Sequence, residues 1–348
     1  MFTGNKIPAV IDGTGQLLNL PKEPRILLLR QDRLGDVIIS VPTIRLLREH
    51  LPDARIDILL SKKNIGAKNI LSGYIDNFFL FDKKTQIIFE VVHKLRITKY
   101  DLVIDMLENR STTSALMINA IKPKYSLGIN KEKNTVYDYV VPALNKLDYH
   151  IVRRTSQLLL PFGIIPDLIN LELEYTINNE ELAAAKAKLN VKPGLVKLGI
   201  NIAGSDRARF WGVEKLTGLI KKINENYGNT AVIVFGTRNY EAELREITNT
   251  ASALLVPFAD SFHEYAAMLS TCDIILTPDT VAVHLASAWR KPCICLFSAV
   301  DDTHGQHWAP YNSPSKVFCA ESGGLETIAV DDVFNAFCEF CSQNISEV

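Results

Sequence analysis

Residues 26–29 read Ile-Leu-Leu-Leu and are closed by Arg30, with no polar position inside the run. A strand half exposed to water alternates apolar and polar residues. A run apolar throughout must be covered on both faces, which is the situation of a strand inside a parallel sheet. Parallel neighbours cannot be joined by a hairpin and need a long crossover, usually a helix. The sequence supplies one. From Asp36 to Leu51 the apolar residues Val37, Ile38, Val41, Ile44, Leu47 and Leu51 fall at helical spacing. Pro42 lies inside that stretch, where its missing N–H and its ring favour a bend. Residues 56–60 (IDILL) then read as the next strand, so the first sixty residues predict a βαβ unit.

The alternation continues along the chain. Strands are expected at 101–106 and 125–129, with helices at 112–121 and 150–162, the second stopped by Gly163. Residues 163–180, with Pro166 and a charged run, read as a connection. A second alternation follows. Strands are expected at 196–202, 230–235, 273–277, 293–297 and 316–319, and helices at 213–226, 239–250, 261–270, 280–289 and 331–342. Ser261 with Glu264 three residues later has the form of a capping box. The expected fold is α/β, two Rossmann-like parallel-sheet halves in tandem. The expected domains are residues 1–178 (with 1–24 as an extension), 179–330, and a C-terminal helix over 331–348. A length of 348 residues suits two domains.

Composition excludes several classes. With 47% hydrophobic and 22% charged residues the chain is globular. No window approaches the roughly 18 uncharged apolar residues of a spanning helix. The first twenty residues lack a compact apolar core, which argues against a secretory signal and predicts a cytoplasmic protein. Net charge is split: +5 over residues 1–178 and −6 over 179–348. A basic first half fits a phosphorylated or membrane-surface partner, or simply a solvated face. All six cysteines lie in the second half, from Cys272 to Cys341, and Cys272, Cys293 and Cys295, in or beside apolar runs, read as reduced core residues. Cys338-x-x-Cys341 lacks a second pair or a nearby His for zinc.

Three loops carry candidate chemistry. In 273–289 (DIILTPDTVAVHLASAW) a buried strand runs through Pro278 and Asp279 straight into a helix at Thr280. Ligands of open α/β sheets bind beyond the carboxyl ends of strands, and a helix N-terminus there offers free N–H groups to phosphate. Thr280 and His284 share one helix face. Asp279 as a plain N-cap and His284 as a packing residue are equally open readings. In 201–211 (NIAGSDRARFW) a strand ends in a loop containing Gly204 and Ser205. Either Arg207 or Arg209 is placed to neutralise a diphosphate. In 30–36 (RQDRLGD) the loop after the first strand has neither the GxGxxG of a dinucleotide fold nor a P-loop. There Asp36 is an N-cap or a general base.

Taken together, ILLLRQDRLGDVIISVPTIRLLREHLP, YDLVIDM, HIVRRTSQLLLPFG and HEYAAMLSTCDIILTPDTVAVHLASAWRKPCICLF resemble glycosyltransferase family 9, the bacterial heptosyltransferases of lipopolysaccharide core assembly. The similarity spans roughly residues 25–320. It implies a GT-B architecture, two facing Rossmann-like domains around a cleft, with the last helix returning to the first domain. It implies a nucleotide-sugar donor, ADP-heptose, on the second domain and a lipid-anchored or glycan acceptor on the first. The implied site is at the inner face of the cytoplasmic membrane. Transfer would be inverting and need no metal or other cofactor, and no nucleic-acid partner is implied. By motif position Asp36 falls on the family's base and Arg209 on its donor-phosphate cation. Gly204 and Ser205 fall in the phosphate loop, and Asp279, Thr280, Val281 and His284 on the Asp-Thr-Gly-x-x-His signature. Val281 stands where that signature has glycine, and the loop after Phe297 keeps only Asp301 of the family pattern. The alternatives are a nucleotide-sugar epimerase of the same architecture and a nucleotide-sugar-binding protein without turnover.

Overall fold

The computed structural model describes residues 7–15, 17–82, 85–131, 136–204, 206–299 and 305–345. The chain forms two compact units, Met1–Glu172 and Leu173–Val348. The first holds strands β1 (Ala9–Val10), β2 (Arg25–Leu29), β3 (Arg55–Ser61), β4 (Asn77–Phe81), β5 (Leu102–Asp105), β6 (Tyr125–Ile129) and β7 (Tyr139–Val141). They form one sheet in the order β1-β7-β6-β5-β2-β3-β4, every pair parallel. The second unit holds β8 (Val196–Asn201), β9 (Thr230–Phe235), β10 (Leu254–Leu255), β11 (Ile274–Pro278), β12 (Cys293–Phe297) and β13 (Ser315–Cys319). Their order is β10-β9-β8-β11-β12-β13, again parallel throughout.

Burial follows the apolar runs. In β2, Ile26 and Leu28 pack into one core with Val37, Val41, Ile44 and Leu47 of the helix Leu34–His50. Leu27 and Leu29 face the other core, with Leu95, Val103, Met117 and Ile118. Each residue of the run thus loses its water on one side of the sheet or the other, which is why no polar residue interrupts it. The helix continues through Pro42, which is buried. In the second unit Leu198, Ile200, Val232, Val234, Ile274, Leu276, Ile294 and Leu296 form the sheet side of a core completed by helix residues such as Leu216, Ile220 and Leu244.

Several elements differ from expectation. The predicted helix 150–162 is α-helical only over Ile151–Ser156 and tightens to a 3-10 turn over Gln157–Phe162. Pro161 cannot continue the α-helical hydrogen-bond ladder. Gly163 ends it at φ +77°, as expected of a glycine stop. The extension before Arg25 is not idle: β1 adds an edge strand beside β7, and Ile11 is buried. The connection contains buried Leu171, Leu173 and Tyr175, so it is packed chain. The last helix, Val330–Ile345, packs its Val333, Phe337, Phe340 and Cys341 into the second unit's own core.

Four of the six cysteines are buried, while Cys319 and Cys338 are partly exposed. Cys272, Cys293 and Cys295 are fully buried, and Cys293 and Cys295 place their Sγ atoms 3.3 Å apart. Burial raises the Cys272 thiol to about 12 and pushes Cys295 well up, so both stay protonated and inert. Among the described residues no group of three or more His, Cys, Asp or Glu is placed to hold a metal. None of the described helices is long and apolar enough to cross a membrane.

The placement of the last helix has a measurable consequence. Phe337→Ala should cost about 3–5 kcal/mol, as for a large aromatic removed from a core. Hydrogen exchange should speed up in β8 and β9 while β2 and β5 keep their protection. Loss of protection centred on β2 and β5 would place the helix against the first unit instead.

Candidate functional site

Each sheet contains one reversal. In the first unit the chain runs outward from β2 through β3 to β4, then returns to β5 and runs the other way. In the second, β8 leads to β9 and β10, and β11 starts the opposite direction. Ligand crevices of open α/β sheets lie at such switch points, beyond the strand ends. The candidate residues of both halves sit there.

At the second unit's switch point Asn201, the last residue of β8, reaches across to β11. Its side-chain amide donates to Thr277 Oγ1 at 3.0 Å, to Thr280 Oγ1 at 3.2 Å and to the Ala203 carbonyl at 3.2 Å. Thr280 is the N-cap of the helix Val281–Ala288, its hydroxyl accepting the Ala282 N–H. Of the two readings left open for Asp279, the plain N-cap does not hold: Thr280 caps the helix and Asp279 is paired with Arg209. One guanidinium nitrogen of Arg209 donates to the Asp279 carbonyl at 2.7 Å, and another stands 2.8 Å from its carboxylate. Gly204 makes this possible, since a Cβ there would lie 2.4 Å from Arg209 Cβ. Arg207 is turned elsewhere, paired with Glu243 and lying over Tyr240 at 4.5 Å. The geometry therefore puts Arg209, not Arg207, at the helix start.

Val281 occupies the first helical position, so its backbone N–H is still available there despite the missing glycine. His284, one turn in, is 4% exposed and lies 5.9 Å from the Trp308 ring. Burial lowers its pKa to about 4, so it is neutral at pH 7 and brings no charge to an anion. Its Nδ1 finds no hydrogen-bond partner among the described residues. Ser205 and Asp301 lie outside the described residues.

At the first unit's switch point the organising side chain is Arg30, 2% exposed at the end of β2. Nε and Nη2 donate to the Asp36 carbonyl at 2.9 and 2.8 Å, and Nη1 donates to the Met106 carbonyl at 2.6 Å. The guanidinium thereby joins the helix start to the end of β5. It also lies 3.2 Å from the Asp32 carboxylate and 3.7 Å from that of Asp36. Asp36 is not the N-cap: the helix begins at Leu34 with Arg33 as cap, and Asp36 sits in the third position. From there its carboxylate reaches back to accept the Arg33 N–H at 3.0 Å. A residue inside the first turn can satisfy that donor, so the helix starts two residues earlier than expected. Nearby, buried Asp105 accepts from Tyr137, Ser114 and Lys131, and Glu108 pairs with Arg154 at 2.6 Å. Burial pushes the Glu108 carboxyl up, against the pull of Arg154.

Arg30, Asp32, Glu108, Arg154 and Asn201 carry roles the sequence reading did not assign. The available signal was a charged or amide residue ending an otherwise apolar strand, as Arg30 does in ILLLR and Asn201 in LGIN. Arg30 and Asn201 each bond a partner 76 positions away, and Glu108 pairs with Arg154 in another element, so no local pattern shows these contacts.

A family model described as glycosyltransferase family 9 (heptosyltransferase) matches residues 88–335. The chain belongs to glycosyltransferase family 9. It is 23% identical over 298 residues to lipopolysaccharide heptosyltransferase 3 of Escherichia coli strain K12, covering 79% of this chain and 82% of that one. The fold matches a family 9 glycosyltransferase from Veillonella parvula with a TM-score of 0.81 at 17% identity, over 94% of this chain and 100% of that one. It also matches the E. coli heptosyltransferase WaaC, solved with ADP, with a TM-score of 0.71 at 17% identity, over 91% and 99% of the two chains. The α/β fold is that of GT-B glycosyltransferases, and the protein is a glycosyltransferase enzyme. The family match begins after the β2 loop, so the placement of Asp36 rests on the geometry above and on the motif.

Proposed function

We propose that the protein is an inverting, metal-independent glycosyltransferase that moves heptose from ADP-heptose to a lipopolysaccharide core or related glycan acceptor. The donor diphosphate docks at the second unit's switch point. The acceptor, a lipid-anchored or glycan sugar on the cytoplasmic face of the membrane, docks at the first. The observation that carries this is the pairing of Arg209 with Asp279 at the start of the Thr280-capped helix. A guanidinium there, with the N–H groups of a helix N-terminus, suits two phosphates. The solved relative with ADP bound supports a nucleoside diphosphate as the ligand.

In the reaction an acceptor hydroxyl attacks the anomeric carbon from the side opposite the diphosphate. The new C–O bond forms as the bond to phosphate oxygen breaks, so configuration inverts. The hydroxyl proton passes to the Asp36 carboxylate. The electron pair of the broken bond stays on ADP, where Arg209 and the helix N–H groups stabilise the growing charge. Those groups supply the positive field that a divalent cation supplies in other transferases. Neutral His284 leaves that charge balance untouched and serves the packing around Trp308.

Arg209→Ala should lower kcat/KM for ADP-heptose by roughly 10²–10³-fold, with Arg209→Lys milder and Arg207→Ala near wild type. The same assay should run undiminished in EDTA. Unchanged kinetics in Arg209→Ala, or a loss in EDTA restored by Mg²⁺, would contradict the donor site or its metal independence.

Asp36→Asn separates base from cap. An amide oxygen can still accept the Arg33 N–H, so stability should shift by well under about 1 kcal/mol. Turnover onto an acceptor presented in anionic vesicles should fall roughly 10²–10⁴-fold. A folded Asp36→Asn protein within a few-fold of wild type would end the general-base role.

A further inference from the structure

The two oxygens of the Asp36 carboxylate are in different situations. Oδ2 accepts the Arg33 N–H at 3.0 Å. Oδ1 faces the Arg30 guanidinium, whose Nη2 stands 3.7 Å away, past hydrogen-bond distance. Oδ1 is therefore the oxygen with lone pairs left for a proton. The Asp36 side chain is 16% exposed, so an acceptor hydroxyl can reach it. The same guanidinium holds Asp36 by its backbone, through the two N–H bonds to its carbonyl, and anchors it to the Met106 carbonyl. A buried guanidinium this near a carboxylate gains a charge-assisted hydrogen bond by closing a gap of about 1 Å. What opposes that move is Asp32, whose Oδ2 lies 3.2 Å from the other terminal nitrogen, Nη1.

We propose that Asp32 and Arg30 are positioning residues for the transfer: Arg30 fixes the base by its backbone, while Asp32 keeps the guanidinium off the Asp36 carboxylate, so that Oδ1 stays open to the acceptor proton. The inference rests on Asp36 being the base, as proposed above. Other cations around this opening are committed elsewhere: Arg154 to Glu108, Lys131 to Asp105 and Lys62 to Asp82. Arg33 and Lys63 line the same cavity as Asp32. Arg30 is thus the cation that Asp32 holds, and Asp32 and Asp36 are the two carboxylates that share it.

The restraint works only while Asp32 is charged. Burial raises its carboxyl to about 6, against the pull of Arg30, with Asp36 and Asp105 adding to the rise. Below that pH Asp32 is neutral, its hold on Nη1 weakens, and the guanidinium closes on Oδ1. A carboxylate oxygen engaged in this way is a poorer proton acceptor.

The deciding experiment measures transfer from ADP-heptose to a deacylated, heptose-deficient lipopolysaccharide core oligosaccharide, with melting temperature recorded for every variant. At pH 8, Asp32→Asn and Arg30→Lys should each lower kcat roughly 10–100-fold, as for a reacting group misplaced by about 1 Å. Neither KM should move. On an Asp36→Asn background the same changes should cost nothing further, because residues acting as a unit are not additive. Wild-type kcat should fall as pH drops through about 6, and Asp32→Asn should stay flat across that window. Independently of turnover, the Arg30 Nε–H resonance should shift through about pH 6 in wild type and sit at its low-pH position in Asp32→Asn.

A low Asp36→Asn kcat with Asp32→Asn at wild-type rate would overturn the pairing alone, as would losses that recur in full on the Asp36→Asn background. An Asp36→Asn protein near wild-type rate would overturn the base role and the pairing with it. No transfer by wild type, with the Arg30 resonance following Asp32, would overturn the transferase reading and leave the restraint standing. An Arg30 resonance indifferent to both pH and Asp32→Asn would overturn the restraint whatever the turnover.

Discussion

A parallel sheet that grows in two directions from its middle leaves two adjacent strand ends with no crossover passing above them. That opening needs polar groups able to bridge the gap without closing it. In the first unit the bridge is the guanidinium of Arg30, which ties the Asp36 carbonyl to the Met106 carbonyl. In the second it is the Asn201 amide, which ties β8 to Thr277 and Thr280. Both end an apolar strand, and both fix the start of a helix whose N-terminus points at the opening. The positions of Asp36 and of Thr280 are consequences of these bridges.

The two openings differ in charge. In the second unit one guanidinium, Arg209, stands at a helix start with the carboxylates of Asp279 at 2.8 Å and Asp206 at 3.7 Å, and burial keeps His284 neutral. In the proposed function this guanidinium and the helix N-terminus receive the donor's phosphates. The first unit mixes carboxyl groups with cations around Arg30, and burial there raises Asp32 and Glu108 instead of lowering them. In the proposed function the Asp36 carboxylate of this opening meets the acceptor's hydroxyl.

Much of the fold was legible because parallel strands announce themselves by unbroken apolar runs. The strands β2, β6, β9 and β12 and the helices Thr112–Ile121 and Val213–Asn226 fall where periodicity placed them. What escaped lies at sheet edges or is short. β4 is only partly buried, and β1 and β7 have two and three residues, too few to show a period. At the site, the residue types in the three loops were readable, but not which of two neighbours does which job. Asp279 and Thr280 are equally good caps in isolation. Thr280 takes the role because Arg209, 70 residues away, holds Asp279. Asp36 moves inside the helix because its own carboxylate can satisfy Arg33. Asp32 owes its raised pKa first to burial, with Asp36 in the same loop and then Asp105 adding to it; the burial is set by the fold and cannot be read from the loop.

The account stands or falls on the nucleoside diphosphate binding at the second sheet's reversal. Amide chemical-shift mapping of the full chain titrated with ADP addresses this directly. The account predicts saturable shifts at Ile202–Gly204, Arg209 and Thr280–Ala282, with the loop at residues 30–36 unmoved. Shifts confined to residues 30–36 and 105–108, with the second unit silent, would contradict it.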